Sequence, residues 1–159
     1  MLRRAFAVAF LLALAVSALA QGNPRGTAKV TLGGKVVEIE YGRPSLRGRD
    51  MLGKAQVGTD WRMGADADTT LKTGADLAFG AVPVPKGDYV LTASKVTEGQ
   101  WQLNVRRPDG TVVAEIPLES TTVKQPAEVF TIELAEEKGA GTFRMTWGDR
   151  ALLARFASR

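Results

Sequence analysis

The chain has 159 residues, with 21 lysines and arginines against 17 aspartates and glutamates, and it contains neither histidine nor cysteine. That length fits one domain. The two missing residue types exclude Ser-His-Asp triads, thiol nucleophiles, disulfides and nearly every protein zinc site, so any catalysis would fall to Asp, Glu, Lys, Tyr, Ser, Thr or Arg.

The first element is an address. Arg3 and Arg4 precede an almost unbroken apolar run, Ala5 to Leu19, and Ala18-Leu19-Ala20 supplies the small-x-small pattern that signal peptidase reads. Residues 1–20 are expected to be a signal peptide, Gln21 the mature N-terminus, and the periplasm or the extracellular space the destination. A membrane anchor would need roughly 20 apolar residues; the run is shorter and no second one follows, so no membrane span is expected after cleavage. The Arg3-Arg4 pair suits general export or a twin-arginine signal, and the lack of cysteine excludes a lipoprotein anchor. Residues 21–159 then carry 19 basic and 17 acidic side chains. A net charge of +2 gives no bulk grip on nucleic acid, although the whole-chain pI is about 9.6.

Nearly every later element has period two. Ala28, Val30 and Leu32 alternate with polar residues, Gly33-Gly34 forms a hairpin turn, and Val37, Ile39 and Tyr41 resume the alternation. Thr69 to Thr73 and Asp76 to Phe79 read as short strands split by Gly74. Pro83 to Asp88 is turn chemistry, because proline donates nothing to a ladder. Tyr89, Leu91 and Ala93 follow, then Trp101, Leu103 and Val105. Pro108-Asp109-Gly110 is a hairpin turn. Val112, Ala114, Ile116 and Leu118 form one strand set and Phe130, Ile132 and Leu134 another. Glu136-Glu137-Lys138-Gly139 reads as a solvated loop. Phe143, Met145 and Trp147 precede an expected tight turn at Gly148-Asp149, after which Ala151 to Phe156 suits a strand or a helical face.

About nine short strands predict an all-β domain, a mainly antiparallel β-sandwich or partly open barrel. The inward set is Val30, Val37, Ile39, Leu91, Leu103, Ile116, Ile132, Phe143 and Trp147. One segment breaks the pattern. Gly42 to Asp68 holds four arginines and five glycines with no strand or helix period. A loop this long is commonly functional or disordered. Tyr41, Leu46, Met51, Leu52, Val57 and Trp61 supply apolar anchors, so it is expected to be ordered over the sandwich.

The same segment carries a resemblance. The stretches YGRPSLRGR (residues 41–49), WRMGADADTT (61–70) and VPKGDYVL (84–91) resemble the exported bacterial family catalogued as domain of unknown function 2911. The matching positions are Tyr41, Arg43, Pro44, Ser45, Gly48 and Arg49; Trp61, Arg62, Gly64, Ala65 and Thr69; Pro85, Gly87 and Tyr89; and Trp147. They span most of the mature chain. Met63 stands where the family has Thr, Asp66 where it has Asn, and Arg106 to Gly110 is a plain hairpin where the family often carries an extra segment. The resemblance implies a secreted β domain and no established activity.

Arginine presents a planar fork of donors that fits carboxylate or phosphate. The candidate site is therefore anion-facing: Arg43, Arg49 and Arg62, walled by Tyr41 and Trp61, with Asp66 beside them. It would suit a small anionic ligand or a glycan. In the other reading, these arginines pair internally with Asp60, Asp66 and Asp68 and hold the loop down. Asp66-Ala67-Asp68 lacks the D-x-D-x-D-G pattern of a calcium loop, so no metal or other cofactor is expected. Three functions follow: a non-catalytic exported binding domain, a hydrolase using Asp66 or Asp68 with Arg43 or Arg62, or an envelope structural protein that multimerises through a sheet edge. Trp101, Phe143 and Trp147 are read as core.

Overall fold

Ten strands form the fold in a computed structural model that describes residues 22–159; the expected signal peptide, residues 1–20, and Gln21 lie outside the described residues. The strands are β1 (Arg25–Leu32), β2 (Lys35–Gly42), β3 (Asp60–Trp61), β4 (Thr69–Thr73), β5 (Leu77–Phe79), β6 (Val82–Val84), β7 (Gly87–Thr97), β8 (Gln100–Arg106), β9 (Val112–Glu137) and β10 (Ala140–Ser158). Among the described residues there is no helix.

All neighbouring strands run antiparallel in one unclosed sheet, ordered β1-β2-β4-β7-β8-β9-β10-β5-β6, with β3 pairing β7 beside this path. The sheet becomes a sandwich because β9 serves two partners. Its first part, Val112 to Leu118, pairs with β8, and its later part pairs with β10. Val37, Ile39, Leu71, Leu91, Leu103 and Val105 thereby face Leu77, Phe79, Leu134, Phe143 and Phe156 across a void of only about 10 Å³. A space that small and apolar sits at the lower limit for holding a water molecule. The expected inward residues are buried, apart from Val30, which is half-buried.

The Gly33-Gly34 hairpin forms as expected, both residues having positive φ, 54° and 74°. Three local expectations are corrected. Pro83 lies inside β6 rather than in a turn; β6 ends the sheet, and an edge strand tolerates a missing donor. The two sets around Ile116 and Ile132 belong to one strand, the 26-residue β9. Gly148-Asp149 is not a turn, nor is the last segment helical. Gly148, at φ 64°, absorbs a register shift between β9 and β10, and β10 continues to Ser158. A left-handed glycine bends such a strand without ending it.

Candidate functional site

The loop between β2 and β4 is held by its glycines first. Gly42, the last residue of β2, meets the backbone of Gly64 and Ala65 so closely that a Cβ on Gly42 would overlap the Ala65 carbonyl. Reciprocally, a Cβ on Gly64 would lie 2.8 Å from the Gly42 oxygen. The stretches YGRP and WRMGA are therefore pinned backbone to backbone, which only residues without side chains permit. Met63, wholly buried, continues this seam, and its carbonyl accepts from the Thr69 hydroxyl. Asp66 adopts a left-handed φ of 66°, a conformation that Asn and Asp tolerate. Its carboxylate accepts the Asn23 backbone N–H at 2.6 Å.

Apolar anchors fix the middle. Leu52 is buried and Leu46 and Met51 are half-buried, whereas Val57 is exposed and holds on only through a backbone bridge to Lys95. The chain then enters β3, which takes up the edge of β7 beyond the end of β4. Pairing with Ala93 turns the Trp61 side chain inward, where it stacks on Trp147 at 5.7 Å and meets Phe130 edge-on at 5.5 Å. Asp60 projects to the other face. There it accepts hydrogen bonds from Ser94 and Asn104 and forms an ion pair with Arg106. Asn104 is buried and also donates to the Ser94 hydroxyl at 2.7 Å.

Between this loop and the ends of β7 and β8 opens a cleft of about 460 Å³. Arg49, Lys54, Arg62 and Lys95 line it together with Trp61 and Trp101. Lys95 is buried along its stem and pairs with the exposed Glu98 at 2.7 Å. The lining carboxylates are Asp50 and Asp60, and both are engaged: Asp50 accepts the Gly53 N–H at 2.8 Å, and Asp60 holds the network just described. Arg49 spends two donors on its own turn, to the Leu46 carbonyl at 3.0 Å and the Ser45 carbonyl at 3.3 Å.

Of the residues expected from sequence, the cleft brings together Arg49, Trp61 and Arg62. Tyr41 lies in the core, its hydroxyl donating to the Ile132 carbonyl at 3.1 Å. Arg43 runs over Gly26 beside the Tyr41 ring, and its Nε is buried with no hydrogen-bond partner among the described residues. Asp66 faces Asn23, and neither Asp66 nor Asp68 lines the cleft. The expected pairing of Arg43, Arg49 and Arg62 with Asp60, Asp66 or Asp68 is absent among the described residues; Asp60 pairs with Arg106 instead. Lys54, Lys95 and Trp101 were missed as lining residues. Lys95 had a signal, since it continues the inward parity of Tyr89, Leu91 and Ala93 and breaks its chemistry. Among the described residues no group of three acidic, histidine or cysteine side chains could hold a metal, and no helix is long and apolar enough to cross a membrane.

Fold and site together define an all-β sandwich domain whose long ordered loop roofs a cationic, tryptophan-walled cleft. The chain belongs to the family described as protein of unknown function (DUF2911), whose profile matches residues 23–156. No curated protein and no solved structure matches the chain.

Proposed function

We propose that this chain is an exported binding module whose site is the cleft under the 49–62 loop, and whose ligand is a small organic anion with a ring or apolar body. The observation carrying this reading is the grouping of Arg49, Lys54, Arg62 and Lys95 around Trp61 and Trp101 in one opening of about 460 Å³. That volume suits a small molecule. The cations answer a carboxylate or phosphate, and the half-buried Trp61, with the buried Trp101 behind it, offers an apolar wall to a ring. With Lys95 paired to Glu98 and Asp60 to Arg106, the three cations Arg49, Lys54 and Arg62 outnumber Asp50 by two and remain to attract an anion. Export follows from the Arg3-Arg4, apolar and Ala18-Leu19-Ala20 series.

The test uses the protein's own reporters. Two of its three tryptophans, Trp61 and Trp101, line the cleft, and the third, Trp147, stacks on Trp61. Residues 21–159 would be titrated with phenylacetate, galacturonate and acetate at fixed ionic strength while tryptophan emission is followed. Ring-bearing anions should give a saturable change, acetate a much weaker one, and Arg62→Ala should lose it. Equal binding by Arg62→Ala and wild type, or no saturable change with any of these anions, overturns the reading.

A further inference from the structure

A second cleft, of about 290 Å³, adjoins the first and shares Arg49, Met51 and Trp61 with it. Arg47, Ser45 and Trp147 also line it, and no carboxylate is among its lining residues. Two acids that touch its lining residues are held by backbone donors. Glu128 accepts the Arg47 backbone N–H at 2.9 Å, and Asp66 holds Asn23. Arg47 itself is held at φ 51° next to Gly48 at φ 74°, in a turn closed by the Arg49 N–H on the Leu46 carbonyl at 3.1 Å. A left-handed backbone is unfavourable for an arginine, and such outliers gather at ligand clamps. The turn sets Arg47 and Arg49 on one cleft. Behind them Trp147 carries an Nε1 that is buried with no hydrogen-bond partner among the described residues.

We infer that this second cleft is an oxyanion subsite, in which Arg47 and Arg49 grip a phosphoryl or carboxyl group while the ring attached to it lies against Trp61 in the first cleft. The inference rests on the ligand-binding reading of the first cleft and deepens it to a two-part ligand: a ring and an oxyanion, divided across Trp61 and Arg49. Arg47 offers paired donors that fit two oxygens of one anion, and Arg49, whose Nε and one Nη already serve the Leu46 and Ser45 carbonyls, adds its charge and its remaining N–H donors.

The subsite is tested by titrating residues 21–159 with inorganic phosphate, phenyl phosphate and benzoate at matched ionic strength, by calorimetry and by tryptophan emission. The variant is Arg47→Asn, because asparagine accepts the left-handed backbone; a matching circular dichroism spectrum and Tm confirm that it folds. Arg155→Gln, at an exposed position on β10, is the control for bulk charge. Phosphate should bind wild type and Arg155→Gln alike and Arg47→Asn about tenfold more weakly, as losing a charge-assisted contact dictates. Phenyl phosphate should bind wild type more tightly than phosphate does, and its ratio to benzoate tells whether the group is phosphoryl or carboxyl. Phosphate binding that is equal in Arg47→Asn and wild type overturns the inference, as does binding that Arg155→Gln weakens as much. If Arg47→Asn changes nothing while Arg62→Ala still loses ring-bearing carboxylates, the first cleft stands and the oxyanion subsite falls.

Discussion

Gly42→Ala isolates the contact that shapes the whole loop. Gly42 is not among the residues with a left-handed backbone, so alanine fits its conformation, and any penalty is steric. The added Cβ would overlap the Ala65 carbonyl oxygen and lie 2.8 Å from the Ala65 nitrogen. Both obstacles are backbone, so no rotamer change relieves them, and the two ends of the loop must part by about an ångström. Overpacking of well-packed sites costs about 1–3 kcal/mol and occasionally more; a clash of backbone on backbone belongs at the upper end, about 3 kcal/mol. The matched control is Gly48→Ala. Gly48 sits at φ 74° with open space where its Cβ would go. Its cost is left-handed strain of about 1 kcal/mol, reduced by the lost freedom of the unfolded chain. Urea unfolding of residues 21–159, followed by tryptophan emission, should place Gly42→Ala about 2 kcal/mol below Gly48→Ala at unchanged m-value. Equal losses in the two variants would refute the claim that backbone contact, rather than turn conformation, explains the glycine in YGRP.

Two further outcomes are expected. Asn104→Ala should cost about 2–3 kcal/mol in a thermal melt, because the buried amide joins Ser94, Thr92 and Asp60 and its loss strands their groups; a loss under about 0.5 kcal/mol would mean that the network does not hold β3. At the β8–β9 hairpin, hydrogen bonding to the Thr111 backbone N–H lowers the Asp109 pKa below 3.8. Its small stabilisation should be present above that value and lost as pH falls through the folded pKa; a carboxyl resonance titrating at or above 3.8 would contradict this.

The alternation of apolar and polar residues was enough to read the strands, because one face of each is buried and a one-residue slip would expose it. Ala28, Leu32, Val37 and Ile39, and later Phe143, Met145 and Trp147, lie inward for that reason. What period two could not convey was where a strand stops. Gly148 resembles a turn residue locally, yet β9 runs alongside and carries β10 straight through it. The site was legible only in part for a related cause. Arg49, Trp61 and Arg62 sit in one unpatterned segment, so the sequence itself groups them. Lys95 and Trp101 come from strands that read as core, and only the seating of β3 beside β7 brings them under the loop. The Asp60–Arg106 pair could not be read from the sequence, because Arg106 lies on β8, two strands away from β3 in the sheet and 46 residues along the chain.

Arg43 separates charge kept for the fold from charge kept for something else. Its Cγ and Cδ lie over Gly26, where a Cβ would come within 2.6 Å of Cδ, so the stem is packed. Its Nε is buried and has no acceptor among the described residues, and no carboxylate there lies within ion-pair distance. Arginine stems stabilise through apolar contact while the charged head seeks water, and a buried donor without an acceptor costs about 1–3 kcal/mol. Arg43→Met keeps the stem and removes the donor, so stability should stay level or rise by up to about 1 kcal/mol. Arg43→Ala removes the stem as well and should lose about 1–2 kcal/mol, less than a fully buried large-to-small change because the residue is only half-buried. An arginine locked onto a carboxylate would behave oppositely: either variant would strand the acid and lose about 3–5 kcal/mol. Urea unfolding of wild type and both variants separates the cases. A large loss in Arg43→Met would refute the unpaired reading. A level or raised stability would mean that the sandwich does not need this guanidinium.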